Sequence, residues 1–211
     1  KNDNMRRVYA YLLNRRGIDR EVLSAFVHKG MIYESADYHN AVFVGYDEHS
    51  IARHAHKRGT GSESTYKGNA ESCDPRYSFH WTGTDNILYL FEAPIDMLSF
   101  ISLHKENWRS HSYAAACCVG DQVLFQMLKA DPNIDTVCLC MDNDAAGQAA
   151  NKRISDKLFI QGIKHEILVP EFKDWNEDRL AAGGNAPHIR AEFSLPQEES
   201  EEEEVCQTLQ L

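Results

Sequence analysis

No stretch of this 211-residue sequence approaches the ~20 consecutive apolar residues of a membrane-spanning helix, which excludes a membrane span. No apolar core follows the opening Lys1-Asn2-Asp3-Asn4-Met5-Arg6-Arg7, so no secretory leader is expected. Lys1 rather than Met heads the sequence, the pattern of a fragment or a processed chain with a domain missing upstream. Cys-x-x-Cys does not occur among the six cysteines at 73, 117, 118, 138, 140 and 206, which removes zinc ribbons and thioredoxin-like motifs. Most of these cysteines sit in apolar runs and read as small buried hydrophobes of a reducing cytoplasm. A Walker A loop is also missing, since Gly61-Ser62-Glu63-Ser64-Thr65-Tyr66-Lys67 has the wrong spacing, so ATPase and helicase chemistry are not expected. No internal repeat is visible. Acid outweighs base, with a net charge of −10, but six of the acids are Glu198, Glu199 and Glu201 to Glu204. Local patches therefore decide any contact with nucleic acid.

What is present falls into three textures. Residues 1–84 carry two helical patterns and a small set of antiparallel strands. Val8, Tyr9, Leu12 and Leu13 recur at helical spacing in Met5 to Arg16, and Gly17 stops them. Asp19 caps a second helix with Val22, Leu23 and Phe26 on its apolar face. Short runs at 31–33, 41–46 and 51–56 read as strands, with Tyr77 to Trp81 as a further one. Residues 85–190 alternate strand and helix four times. The runs Ile87–Phe91, Tyr113–Val119, Thr136–Met141 and Ile167–Val169 are continuous and apolar, as in strands covered on both faces. Helices follow at Pro94 to about Lys105, after Gly120-Asp121, at Ala145–Ile160 and at Asp174–Ala182. The alternation predicts an α/β fold with a mostly parallel four-stranded sheet flanked by helices, preceded by a small α+β region. Residues 191–211 form an acidic tail expected to be disordered.

Carboxylates stand where two strands end. Glu92 directly follows Leu88-Tyr89-Leu90-Phe91, and Asp142 and Asp144 directly follow Val137 to Met141. In parallel sheets ligands bind beyond the carboxyl ends of the strands. Three acids converging there repel one another unless a cation intervenes, and hard oxygen ligands suit Mg²⁺ or Mn²⁺. Ala145, Ala146 and Gly147 are small enough to let a metal or phosphate approach the next helix. Each acid alone serves equally well as a helix cap, Asp144 and Asp174 above all. Arg53, Lys57, Arg58 and Lys67, with His54, His56 and Tyr66, form a basic strip suited either to phosphate contact or to a solvated hairpin face. Arg15 and Arg16 face nucleic acid or simply close a helix.

Leu88-Tyr89-Leu90-Phe91-Glu92-Ala93-Pro94-Ile95-Asp96 and Met141-Asp142-Asn143-Asp144-Ala145-Ala146-Gly147 together resemble the two signature motifs of the toprim domain, shared by bacterial primases, topoisomerases and certain nucleases. The order and spacing of the two motifs match over residues 86–180. Tyr11-Leu12-Leu13-Asn14-Arg15-Arg16-Gly17-Ile18, Tyr38-His39-Asn40-Ala41-Val42-Phe43 and Arg58-Gly59-Thr60 are similar to the region that precedes toprim in primase-like proteins of mobile elements. Ala93-Pro94 departs from the glycine usual after the signature glutamate. No primase-type zinc module is present, and there is no room for the domains that carry a topoisomerase tyrosine.

The resemblance implies that Glu92, Asp142 and Asp144 are catalytic. It also implies that these three, with Asp96 and Asp174, serve a Mg²⁺ or Mn²⁺ ion. Arg15, Arg16, Arg53, Lys57, Arg58 and Lys67 would then hold nucleic acid. The implied activity is metal-dependent nucleotidyl transfer of the DNA primase type, in replication of a plasmid or mobile element. Its substrates would be a single-stranded DNA template and nucleoside triphosphates, with replication partners or further domains completing it in the cytoplasm. A toprim nuclease uses the same ligands, and a non-catalytic nucleic-acid-binding module would keep only the fold.

Overall fold

The computed structural model describes residues 1–118 and 120–183, and the backbone of 190–192. Val119, Cys206 and the acidic tail beyond residue 192 lie outside the described residues. No described helix is long and apolar enough to cross a membrane.

The predicted first helix is broken into two geometries. α1 (Arg6–Tyr9) runs directly into a π-helix at Ala10–Arg15. The wider turn changes the buried face from the expected Val8, Tyr9, Leu12, Leu13 set to Val8, Tyr11 and Leu12. It also leaves Arg15 and Arg16 together at its end. α2 (Arg20–His28) is capped as its sequence predicts, Asp19 accepting from the backbone N–H groups of Glu21 and Val22. Then β1 (Ile32–Glu34), β2 (Ala41–Tyr46), β3 (Ala52–Arg58) and β4 (Lys67–Asn69) form an antiparallel sheet in sequence order.

α1 has no side-chain cap of its own; β1 supplies one. The buried Glu34 carboxylate accepts from the backbone N–H groups of Arg7 (3.1 Å) and Val8 (3.2 Å), accepts from Asn2 Nδ2, and meets His39 Nδ1 at 2.6 Å. Burial alone would raise its pKa, but the bonds from His39, Val8, Asn2 and Arg7 outweigh it and leave it lowered. This contribution to stability is complete above the ordinary glutamate range. It disappears as pH falls through the depressed folded-state pKa. Glu34→Ala should therefore cost about 2–3 kcal/mol in urea unfolding at neutral pH, and much less under acid conditions.

The second sheet has the order β10-β9-β8-β6-β7-β5. Its four inner strands, β6 (Ile87–Phe91), β7 (Ser112–Ala115), β8 (Thr136–Cys140) and β9 (Lys164–Val169), are parallel, as the alternating pattern predicts. Two short antiparallel strands close its edges: β5 (His80–Trp81) beside β7 and β10 (Arg190–Glu192) beside β9. The 77–81 segment thus joins this sheet rather than the first, after a 3₁₀ turn at Pro75–Tyr77.

Alternation along the inner strands feeds two cores. Leu88, Leu90, Val137 and Leu139 pack with Val123, Leu124 and Met127 of α4 (Gln122–Ala130) and Ile154 and Leu158 of α5 (Ala145–Ile160). Phe91, Cys138 and Cys140 pack on the other face with α3 (Pro94–Leu103) and with Trp175 of α6 (Trp175–Ala181). Every residue of α3 is buried, because the N-terminal region covers its outer side. Phe26, Phe79, Trp81 and Trp108 form the aromatic contact that joins the two parts. Trp81 and Trp175 are packing residues, as expected. Cys117, Cys138 and Cys140 are buried and Cys73 is half-buried, whereas Cys118 is exposed.

Candidate active site

The parallel register puts the ends of β6 and β8 side by side, Phe91 opposite Cys140. Glu92 and Asp142 leave those ends within two residues of that pair. A third strand end joins them through two ties. Asn143 N–H donates to the Lys173 carbonyl (2.7 Å) and Asn143 Nδ2 to the Pro170 carbonyl (3.2 Å). Trp175 Nε1 donates to the Cys140 carbonyl (2.9 Å), which fixes the first turn of α6 against β8. The middle residue of Asp-x-Asp is therefore turned aside, as its position suggests, and bonds the Asp142 loop to the Asp174 loop.

One cavity of about 190 Å³ lies at this rim. Glu92, Asp96, Asp142 and Asp174 line it, together with Ala93, Pro94, Cys118 and Asn176. The N-terminal region supplies the facing wall through Arg16, His56, Arg58 and Lys67, and Lys173 adds a further cation. The Asp142 carboxyl is pushed up to about 7, by burial first and then by Glu92, Asp174 and Asp144, while Lys173 opposes the shift. Its Oδ1 atom is buried with no hydrogen-bond partner among the described residues. Asp96 lies deeper, and burial followed by the charges of Asp142, Asp174 and Glu92 raises its pKa well above the usual range.

This donor set fits a hard divalent cation: several carboxylates, one orphaned oxygen, and raised pKa values that added positive charge would relieve. Among the described residues no three His, Cys, Asp or Glu side chains are grouped closely enough to hold a metal ion, so the expected five-acid ligand set is not assembled here, and water ligands would have to complete the shell of a bound cation.

Asp144 takes the capping alternative. Its Oδ1 accepts from Ala146 N–H (3.0 Å) and Gly147 N–H (2.9 Å) at the start of α5, and its side chain does not line the cavity. Its charge still reaches Asp142. Asp174 does both, capping α6 through Glu177 N–H (2.8 Å) while facing the cavity. Gly147 is small for a different reason than ligand approach: a β-carbon there would stand 2.0 Å from the Asp142 carbonyl oxygen.

Of the six basic candidates, Arg16, Arg58 and Lys67 reach the cavity. Arg15 instead donates to the carbonyls of Gly61 (2.9 Å) and Ser62 (3.0 Å) and steadies the β3–β4 loop. Arg53 pairs with Asp47 at 2.6 Å, and Lys57 does not line the cavity. The His54-x-His56 pair is buried. His54 has no partner on either ring nitrogen, and burial followed by the His56 charge lowers its pKa to about 4. His56 Nδ1 meets Asn69 Oδ1 (2.7 Å), and Asn69 Nδ2 donates to the Cys117 carbonyl (3.1 Å). Cys117 N–H in turn donates to the Glu92 carbonyl (3.0 Å), so the N-terminal sheet is hydrogen-bonded to the loop after β7 and, through it, to the loop after β6. Asn176 lines the cavity too but drew no notice in the sequence, because an amide in the first turn of a helix carries no distinguishing spacing.

Comparison with known proteins is consistent with this arrangement. Residues 89–179 match the family described as Toprim-like, and residues 10–85 match the family described as protein of unknown function DUF3991. An uncharacterized protein of Bacillus anthracis, pXO2-78, is 31% identical over 197 residues, which are 82% of this chain and 56% of that one. The chain thus spans little more than half of that relative's length. Among solved structures, the primase fragment of the bacteriophage T7 primase-helicase superposes with a TM-score of 0.61 at 19% identity, covering 82% of this chain and 70% of that one. The RNA polymerase domain of Mycobacterium tuberculosis primase DnaG gives 0.57 at 14%, covering 87% and 74%. A DnaG primase catalytic domain bound to single-stranded DNA gives 0.50 at 13%, covering 83% and 59%.

Proposed function

Since residues 89–179 are a toprim-like domain preceded by a DUF3991 region, we propose that the crevice between them is a metal-dependent nucleotidyl-transfer site of the primase type, acting on nucleic acid. The observation that carries this reading is the joint lining of one cavity by four carboxylates, with Lys173 beside them, and by Arg16, Arg58 and Lys67 on the facing wall. Fold likeness to primases supports it, including one solved with single-stranded DNA. A volume near 190 Å³ is below the ~300 Å³ of ordinary small-molecule pockets, so it takes an ion and phosphate groups while base and sugar lie outside.

Glu92, Asp142 and Asp174 would hold Mg²⁺ or Mn²⁺, with Asp96 beneath them keeping the cluster's charge low. A bound cation would supply charge neutralisation and polarisation of the phosphate under attack. The four basic side chains bind the triphosphate oxygens and align the α-phosphorus for in-line displacement. Glu92 accepts the proton of the attacking 3′-hydroxyl. The new P–O bond forms as the bond to pyrophosphate breaks, and Lys173 and Arg58 offset the charge that builds on the leaving group.

Incorporation of labelled nucleotides on a single-stranded template, run beside nicking of supercoiled plasmid with Mg²⁺ and with Mn²⁺, tests the reading. Template-dependent product that disappears in Asp174→Ala is the expected result. Nicking without synthesis would reassign the same carboxylates to phosphodiester cleavage by water. Neither product, with no stabilisation by metal, would leave a non-catalytic binding module.

A further inference from the structure

Arg16 lines the cavity beside Glu92, Asp96, Asp142 and Asp174, yet it forms no ion pair with any described carboxylate. Its bonds go to neutral oxygens. Nε donates to the Tyr11 hydroxyl (2.9 Å) and one terminal nitrogen donates to Asn176 Oδ1 (3.0 Å), with the guanidinium 5.2 Å from the centre of the Tyr11 ring. Asn176 is buried, and its amide cannot turn around. Nδ2 donates to the Arg16 carbonyl (2.8 Å) and to Ser99 Oγ (2.9 Å), which leaves Oδ1 as the face presented to the guanidinium. Asn176 thereby joins the end of the π-helix to α6 and α3, across 160 residues of sequence.

A guanidinium has five N–H donors, and the two bonds found here engage one each at Nε and a terminal nitrogen. A carboxylate in place of Asn176 would fix the same direction but neutralise the charge. We propose that Asn176 is a positioning residue: its amide, with the Tyr11 hydroxyl, aims Arg16 into the crevice with its charge unspent, so that Arg16 grips a phosphate of the ligand. This rests on the reading of the crevice as a phosphate site. The phosphate can belong to a nucleoside triphosphate or to a nucleic-acid strand, since the recognising chemistry is shared.

Two binding measurements with Mg²⁺ present separate these sources: calorimetry with inorganic tripolyphosphate, and fluorescence anisotropy with a labelled single-stranded oligodeoxynucleotide. Arg16→Ala should weaken one or both by about tenfold, as loss of a charge-assisted phosphate contact does. Asn176→Asp and Tyr11→Phe should each weaken the same arm by about three- to tenfold, and neither should weaken it further once Arg16→Ala is present. A purely structural role would make the effects additive with Arg16→Ala. Tyr11→Phe removes one hydroxyl and leaves the buried ring, so it carries the test alone if Asn176→Asp does not fold. Unchanged affinity in both single variants, or additivity with Arg16→Ala, overturns the positioning role while the phosphate site stands. A wild-type protein that binds neither probe overturns both.

Discussion

Asp142→Asn should abolish metal-dependent activity while making the metal-free protein more stable. Losing one ligand carboxylate at a charge-developing centre is expected to cost about three orders of magnitude in turnover. The stability change runs the other way because the carboxyl is pushed up to about 7. A carboxyl whose folded-state pKa lies above its unfolded value weakens the fold. The penalty is nil below the unfolded value of 3.8, grows between the two, and is complete above about 7. Asparagine keeps the shape and removes the charge. The expected gain above pH 7 is about 1–2 kcal/mol, well below the full shift because Asp142 keeps contact with solvent. In a chain of this size that is a rise of roughly 3–6 °C in Tm, shrinking to nothing near pH 4. Mg²⁺ should stabilise the wild type and leave the variant unmoved. A variant that loses stability at pH 8, or keeps its response to Mg²⁺, would remove Asp142 from the metal site.

Gly147→Ala should have the second largest effect, although it changes a residue with no chemistry of its own. The added carbon would meet the Asp142 carbonyl oxygen at 2.0 Å, its carbonyl carbon at 2.8 Å and its backbone nitrogen at 3.0 Å. All three are backbone atoms and none can swing aside, so either α5 retreats or Asp142 moves. Overpacking of this kind should destabilise by about 2–3 kcal/mol in urea unfolding. If Asp142 has the role proposed above, its displacement by about 1 Å should lower nucleotide incorporation by about 10²-fold. Gly162 is the matching control. It sits at the end of α5 with φ +67° and nothing within 4 Å of a β-carbon, so Gly162→Ala should cost about 1–2 kcal/mol of backbone strain and leave activity intact. Equal activity losses in the two variants would mean that Gly147 acts through general stability alone.

The sheet, and the rim on which Glu92 and Asp142 stand, were legible because both are written locally, whereas the turn of Asp144 to the start of α5 was not. A run such as Ile87–Phe91 specifies a buried strand, and the residue after it must sit at the strand's carboxyl end. That placed Glu92 and Asp142 on one rim before any coordinates, and α5 begins and ends where its sequence pattern does. The small edge strands β5 and β10, of two and three residues, are too short to show a period and take their place from pairing partners. The π-helix was illegible because 3.6-residue periodicity assumes the geometry it was used to detect. The basic half was only partly legible. Six cations were visible, but which of them turn inward is decided by distant partners: the Gly61 and Ser62 carbonyls for Arg15, Asp47 for Arg53, Asn176 for Arg16. Gly147 was noticed for its size and given the wrong neighbour, since nothing in the sequence says that the helix start lies against the Asp142 backbone.

The stitch between Asn143 and the 170–173 segment couples two of the acids that line the crevice. Asp142 and Asp174 hang from loops bonded to each other at 2.7 Å and braced by Trp175, so neither can shift without carrying the other. Opposite them, Lys67 stands at an edge strand and Arg58 holds a buried Nε without a partner. On the proposed reading, a phosphate entering the crevice would meet two carboxylates that move only as a pair, and opposite them a guanidinium nitrogen still free to bond.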